Sequence, residues 1–392
     1  MNKVLTFNNI AEEGLRRLPQ ERYEVGTDIA DPTAIILRSH NMHDMEIPAS
    51  VAAIGRAGAG TNNIPIEAMS ARGVPVFNTP GANANAVKEL AIAGLLIAAR
   101  NLCDANEHVK GLSETGDALN KAVEAGKKKF VGFELPGKTL GVIGLGAIGV
   151  EVANAALALG MKVIGFDPKI TVRSAWQLSS GVEYAESIGE LFQRSNAVTL
   201  HVPLVDETKG LVNEQRLSKL PDGAVLINFA RGGIVDNEAA LRALESGKLG
   251  TYVCDFPTPE LIAHPGVVAL PHLGASTAEA EENCAVMVAE NIKDFLDNGN
   301  IRFSVNFPEA RMPRLDAWRI TIANANVPNM VGQISTCLAE AGLNIEDLLN
   351  KSIGELAYTI VDVNGPVSDE TRAKLRAIDG VLTLRNLGKP VT

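Results

Sequence analysis

Three polar residues stand just beyond short apolar runs in this 392-residue chain: Arg231 follows Asn228-Phe229-Ala230, Glu260 lies five residues after Asp255, and His272 follows Leu270-Pro271. An imidazole titrates near neutral pH and can take or give the proton of a hydroxyl group while hydride leaves or reaches the same carbon. A carboxylate hydrogen-bonded to that imidazole favours its protonated form and orients the ring, which suits Glu260. A guanidinium can grip the carboxylate of a 2-hydroxy acid and polarise its carbonyl oxygen, which suits Arg231. Singly, such an Arg reads as a surface residue and such a His as a structural one. Together they are the equipment for hydride chemistry on a hydroxy acid.

A hydride needs an acceptor. Gly144-Leu145-Gly146-Ala147-Ile148-Gly149 is a GxGxxG that a strand pattern (Leu140 to Ile143) enters and a helical pattern (Ile148, Val152, Ala156, Leu159) leaves. That context turns a weak motif into a dinucleotide site. Gly144 makes the tight turn, Gly146 admits a pyrophosphate, and Gly149 lets the helix approach the sheet, with the helix N-terminus facing the anion. Asp167 ends the next strand, 18 residues after Gly149, where a carboxylate would bind the adenosine ribose hydroxyls and repel a 2′-phosphate. NAD is therefore expected rather than NADP.

The elements that must position these residues come in two alternating series. The first has strand candidates at 4–7, 34–37, 51–54 and 74–77, with a helix over Ile64 to Ala71 and a mostly apolar helix over Glu89 to Arg100. The second has six, at 140–143, 162–166, 197–200, 225–228, 252–254 and 267–270. Such alternation predicts parallel α/β sheets, which bind ligands beyond the carboxyl ends of their strands. After a Pro308–Pro313 stretch, the tail reads βαββαβ, a ferredoxin-like order.

Composition narrows the partners. The net charge is −10 and aromatics are only 4% of residues, which argues against nucleic acid and against an anionic membrane surface. Cys103, Cys254, Cys284 and Cys337 show no metal-ligand spacing and read as buried free thiols; no metal is expected. No apolar stretch is long enough for a signal peptide or a membrane span, which leads to an expectation of a soluble cytoplasmic protein.

The motifs GVIGLGAIG (141–149), NFARGGIVD (228–236), DFPTPE (255–260), PHLGAST (271–277), RAGAGTN (56–62) and Asn78-Thr79-Pro80 together resemble the D-isomer-specific 2-hydroxyacid dehydrogenases, over roughly residues 1 to 303. The resemblance implies catalytic roles for Arg231, Glu260 and His272. It also implies cofactor contacts at Thr79, Ala147, Ile148, Val202, Ala230, Arg231, Asp255, Gly274 and Ala275. Leu261 stands where the family usually has Pro, and the loop to His272 is short, which keeps Asp255 open as an alternative partner of His272. Within the family, Leu37-Arg38-Ser39 resembles the substrate-lining segment of the enzymes that act on a phosphorylated 2-hydroxy acid. Arg38, Ser39 and Arg56 would then meet a phosphate, and backbone N–H groups of Ala57, Gly58, Ala59 and Gly60 the carboxylate; both arginines also read as solvated strand ends. Reduction of another small 2-oxo acid, and a dinucleotide-sensing corepressor on the same scaffold, stay open as alternatives.

The tail from Asp316, with its Asn324-Ala325-Asn326-Val327-Pro328 turn, resembles the ACT regulatory domain. That implies L-serine as a possible effector at Asn324 and Asn326, or a purely oligomerising tail, and a homodimer or homotetramer. Asn329 replaces the Gly expected after the Pro. The full expectation is two Rossmann/flavodoxin-like parallel-sheet domains, residues 1–98 with 277–303 for substrate and 99–276 for NAD, then a linker (304–315) and a ferredoxin-like (ACT) α+β domain (316–392).

Overall fold

The computed structural model describes residues 1–390. The chain divides into two compact units, Ala84–Thr277 and a unit joining residues 1–83 to everything from Ala278 onward. The division differs from the sequence expectation at residue 98. Helix Ala84–Arg100 buries Ala91, Leu95, Ala98 and Ala99 in the same core as Ala153 and Val253, so it belongs wholly to Ala84–Thr277.

The first unit is built on a parallel sheet, β1 (Asn2–Thr6), β2 (Tyr23–Gly26), β3 (Ala34–Leu37), β4 (Ala53–Arg56) and β5 (Val76–Phe77), in the order β2-β1-β3-β4-β5. All four residues of β3 are buried, as expected of a parallel strand covered on both faces. Edge strand β2, which the sequence reading lacked, buries only Tyr23. Helix Ala278–Asn298 lies against β4: a Cβ on Gly55 would stand 2.5 Å from Val288 Cγ2, so only glycine allows this approach. The Pro308–Pro313 stretch is packed rather than free. Asn306 receives the Val76 N–H and donates to Val74 O, and Phe307, Ala310 and Met312 are buried.

Ala84–Thr277 holds seven parallel strands, β6 (Thr139–Ile143), β7 (Lys162–Phe166), β8 (Val182–Tyr184), β9 (Ala197–Leu200), β10 (Ala224–Asn228), β11 (Leu249–Cys254) and β12 (Val267–Ala269), ordered β12-β11-β10-β9-β6-β7-β8. The sequence reading expected six; β8 is the addition, a three-residue edge strand with no buried residue. The order reverses beside β6, placing a crevice at the carboxyl ends of β6 and β9.

The tail forms an antiparallel sheet, β13 (Trp318–Ala325), β14 (Ile345–Ile353), β15 (Leu356–Val363) and β16 (Val381–Gly388), ordered β14-β15-β13-β16. Alternation along β13 and β15 gives it two apolar faces. Ile320, Ile322, Val361 and Val363 pack with Ile334, Leu338 and Leu375 from helices Met330–Glu340 and Asp369–Arg376. Ala323, Tyr358 and Ile360 share a core with Phe295 and Phe307, which is why the tail groups with the first unit. Among the described residues no helix is long and apolar enough to cross a membrane. The four cysteines are unpaired; Cys254 and Cys284 are buried as expected, whereas Cys103 is exposed and Cys337 partly so.

Candidate active site

In Ala84–Thr277 the glycine turn takes the form its sequence requires. Gly144 has φ +89°, and a Cβ there would stand 2.5 Å from His201 O and 2.8 Å from Val202 Cγ1. A Cβ on Gly149 would fall inside the carbonyl oxygen of Gly144. At Gly146 the same atom would meet nothing within 4 Å, so the first turn of helix Ala147–Ala158, with Ala147 and Ile148, opens onto free space. Asp167 Oδ2 accepts the Leu145 N–H and Oδ1 the Lys169 N–H, both at 2.8 Å, which fixes the carboxylate beside the turn. These residues fit a dinucleotide: a helix N-terminus with room for a pyrophosphate, and a carboxylate for ribose hydroxyls.

His201, at the end of β9, was not anticipated. Its Nε2 pairs with Thr199 Oγ1 at 3.0 Å, its N–H donates to Ile143 O, and burial pushes its imidazole down to about 4. The ring stays neutral behind the glycine turn at neutral pH. A polar residue directly after a buried strand was the available signal.

Asn228, the buried last residue of β10, shapes the turn that carries Arg231. Its Oδ1 accepts the Ala230 N–H at 3.1 Å and its Nδ2 donates to Arg231 O at 2.9 Å. Arg231 Nη1 donates to Ala230 O at 2.7 Å. Asp255 follows β11 and is buried, with no side chain donating to its oxygens. Burial raises its pKa; the charge of His272, the Gly274 N–H and, more weakly, Arg231 oppose the rise. His272 donates its backbone N–H to Asp255 O, sits at φ +39°, and packs its ring on Phe256 at 4.7 Å between centroids. Gly274 stands beside Asp255 Oδ2 and Phe229 O, with Ala275 next to it.

The structure thus brings Arg231, Asp255 and His272 together and leaves Glu260 out. Glu260 is exposed in the first turn of helix Pro259–Ala263, where its own N–H and the Thr258 hydroxyl lower its pKa. The connection from Glu260 to His272 holds only the rest of helix Pro259–Ala263 and three-residue β12.

The first unit holds the other expected group at the ends of β3 and β4. Asn8, itself left-handed at φ +65°, accepts the backbone N–H groups of Arg38, Ser39 and His40 on its Oδ1 at 3.3, 3.0 and 2.9 Å. Arg56 Nε donates to Arg38 O at 2.9 Å. Arg38 Nη1 meets Glu281 Oε1 at 2.7 Å. The Ala57 to Gly60 loop is tied by Thr79 N–H to Gly58 O and by Asn78 Nδ2 to Ala59 O, so Thr79, expected at the cofactor, supports this loop from a fully buried position.

In the tail, Asn324 is buried and donates to Ala325 O, while Asn326 Nδ2 donates to Gly354 O. Asn329 is left-handed at φ +64°, the conformation that a glycine would supply.

Comparison with known proteins gives the family. Residues 92–274 match the NAD binding domain of the D-isomer specific 2-hydroxyacid dehydrogenases. A D-3-phosphoglycerate dehydrogenase of Haemophilus influenzae is 35% identical over 366 residues, 89% of this chain and 85% of that protein. A hydroxypyruvate reductase of Thermotoga maritima is 40% identical over 249 residues, 61% of this chain and 76% of that protein. Among solved structures, NAD+-bound 3-phosphoglycerate dehydrogenase of Entamoeba histolytica matches with a TM-score of 0.60 at 30% identity, over 78% of this chain and 98% of that one. With a GxGxxG turn built for a pyrophosphate and an Arg–Asp–His group beyond the neighbouring strands, the chain belongs to the D-isomer specific 2-hydroxyacid dehydrogenases and uses NAD.

Proposed function

We propose that this chain oxidises 3-phospho-D-glycerate to 3-phosphohydroxypyruvate with NAD, the first step of phosphorylated L-serine biosynthesis. The observation that carries the substrate choice is the arginine pair at the ends of β3 and β4, Arg38 and Arg56, joined through Arg56 Nε and Arg38 O. Two guanidinium groups match a phosphate better than the small neutral end of glycerate or lactate. NAD, when bound, supplies the hydride acceptor for C2. His272 accepts the hydroxyl proton, Arg231 orients the carboxylate and polarises the oxygen on C2, and the N–H groups of Ala59 and Gly60 add anion-binding dipoles, those of Ala57 and Gly58 being already donated to Leu37 O and Arg56 O. Asp255 takes the supporting position expected of Glu260.

The tail is proposed as an ACT-like domain with L-serine at the Asn324–Asn326 turn. A homodimer or homotetramer is supported by the exposed apolar side chains Leu102, Val109, Val123 and Val131 on and beside helices Leu102–Lys110 and Gly116–Gly126, neither of which buries a side chain.

The test is a panel of 3-phospho-D-glycerate, D-glycerate and D-lactate with NAD, and hydroxypyruvate and glyoxylate with NADH. The expected result is a kcat/KM for the phosphorylated substrate about 100-fold above that for D-glycerate, as phosphate–guanidinium contacts predict. Preferred turnover of hydroxypyruvate or glyoxylate would move the chain to the reductases. NAD binding without turnover of any of these substrates would instead support the corepressor alternative.

A further inference from the structure

Glu281 stands in the first turn of helix Ala278–Asn298 with its carboxylate on Arg38 Nη1 at 2.7 Å. The backbone beneath Arg38 is fixed by Asn8, so only the guanidinium can change partners. Both side chains keep contact with water, 35% exposed for Arg38 and 43% for Glu281. One turn along, the Cys284 thiol is buried, and its pKa is raised by that burial against the pull of Arg38 and Arg56. Glu281 is thus an internal anion that already occupies Arg38.

A carboxylate and a phosphate present similar oxygen pairs to a guanidinium, but the phosphate carries more charge. A half-exposed ion pair of this kind is weak enough to be exchanged. We propose that Glu281 is a built-in competitor for the substrate's phosphate, holding Arg38 when the site is empty and giving it up when a phosphorylated substrate binds. This rests on the reading that Arg38 meets that phosphate. Glu281 is then a specificity-determining residue: a phosphorylated substrate must displace it, whereas D-glycerate, with only a hydroxymethyl group at that position, need not.

The variants E281Q and E281A test it. The KM for 3-phospho-D-glycerate should fall about two- to fivefold, the upper range for losing an exposed pair, with kcat and the kcat/KM for D-glycerate changed less than about 1.5-fold. The Kd for inorganic phosphate, measured by calorimetry, should fall by a similar factor. An unchanged or higher KM in both variants would overturn the proposal, because Glu281 would then be idle or would be holding Arg38 in its working position. If the wild-type protein turns over hydroxypyruvate but not the phosphorylated acid, the substrate reading fails. The phosphate measurement still decides the role of Glu281: tighter binding in E281Q supports competition and unchanged binding rejects it.

Discussion

Arg319 and Asp362 face each other across β13 and β15 with neither side chain exposed, Nε to Oδ1 at 2.6 Å and Nη2 to Oδ2 at 2.7 Å. The same guanidinium donates to Asn298 O, Met312 O and Pro313 O, so one side chain ties the tail sheet to the preceding segment and to the end of helix Ala278–Asn298. D362N should lower stability by about 3–5 kcal/mol, since it strands a buried cation, whereas R319M combined with D362L should recover part of the loss. Urea unfolding of the three proteins checks this; a D362N midpoint equal to wild type would show that the pair contributes nothing.

Asp255, rather than Glu260, is the carboxylate whose charge meets His272. A carboxylate beside the ring steadies the charge that His272 gains on taking the hydroxyl proton. D255N should therefore lower kcat for oxidation about tenfold, the loss of one charged contact. E260Q should change kcat less than about twofold. The reverse pattern, a loss in E260Q and none in D255N, would falsify the arrangement.

Gly58 makes room for Arg56: a Cβ there would lie 2.7 Å from Arg56 Nη1. G58A should push the guanidinium aside and raise KM for the phosphorylated substrate about tenfold, the cost of a misplaced charged hydrogen bond, while kcat holds within about twofold. Steady-state kinetics decide; a fall in kcat at constant KM would place the loop at the reacting carbon instead.

His201 sets an acid limit on stability. Its folded pKa of about 4 lies below the ordinary 6.5, so the unfolded chain binds more protons between those values and stability falls as the pH drops through that window. At pH 7 both states are mostly neutral and the residue costs only about 0.2 kcal/mol. At pH 5 wild type should have lost about 2 kcal/mol relative to H201N, by the usual conversion of pKa difference to free energy. Equal pH dependence in the two proteins would show that the ring protonates in place.

Most of this architecture was legible because central parallel strands are continuous apolar runs. Ala34 to Leu37 and Ala197 to Leu200 are buried at every position, and both were read as strands. Strands β2 and β8 were not: each lies at a sheet edge, where one face is wet and the pattern fades. The glycine turn was readable since its mechanics are local. Asn8 and Glu281 were not, because Asn8 acts on residues 30 to 32 positions away and Glu281 reaches Arg38 from the second segment of the first unit, beyond the whole of Ala84–Thr277 in sequence. Glu260 stands exposed in helix Pro259–Ala263, a placement that motif spacing could not give because it says nothing of where a shortened loop points its side chains.

Helix Ala278–Asn298 has 21 residues, a rod of about 31 Å at 1.5 Å per residue. Arg385, stacked on Phe295 at 4.1 Å, donates to the carbonyls of Phe295 and Leu296 at one end, and Glu281 grips Arg38 at the other. The tail and Arg38 are thus mounted on opposite ends of a single strut. The tail end is clamped by backbone carbonyls, whereas the Arg38 end is held by one half-exposed ion pair, so the strut is anchored at the tail and releasable at Arg38.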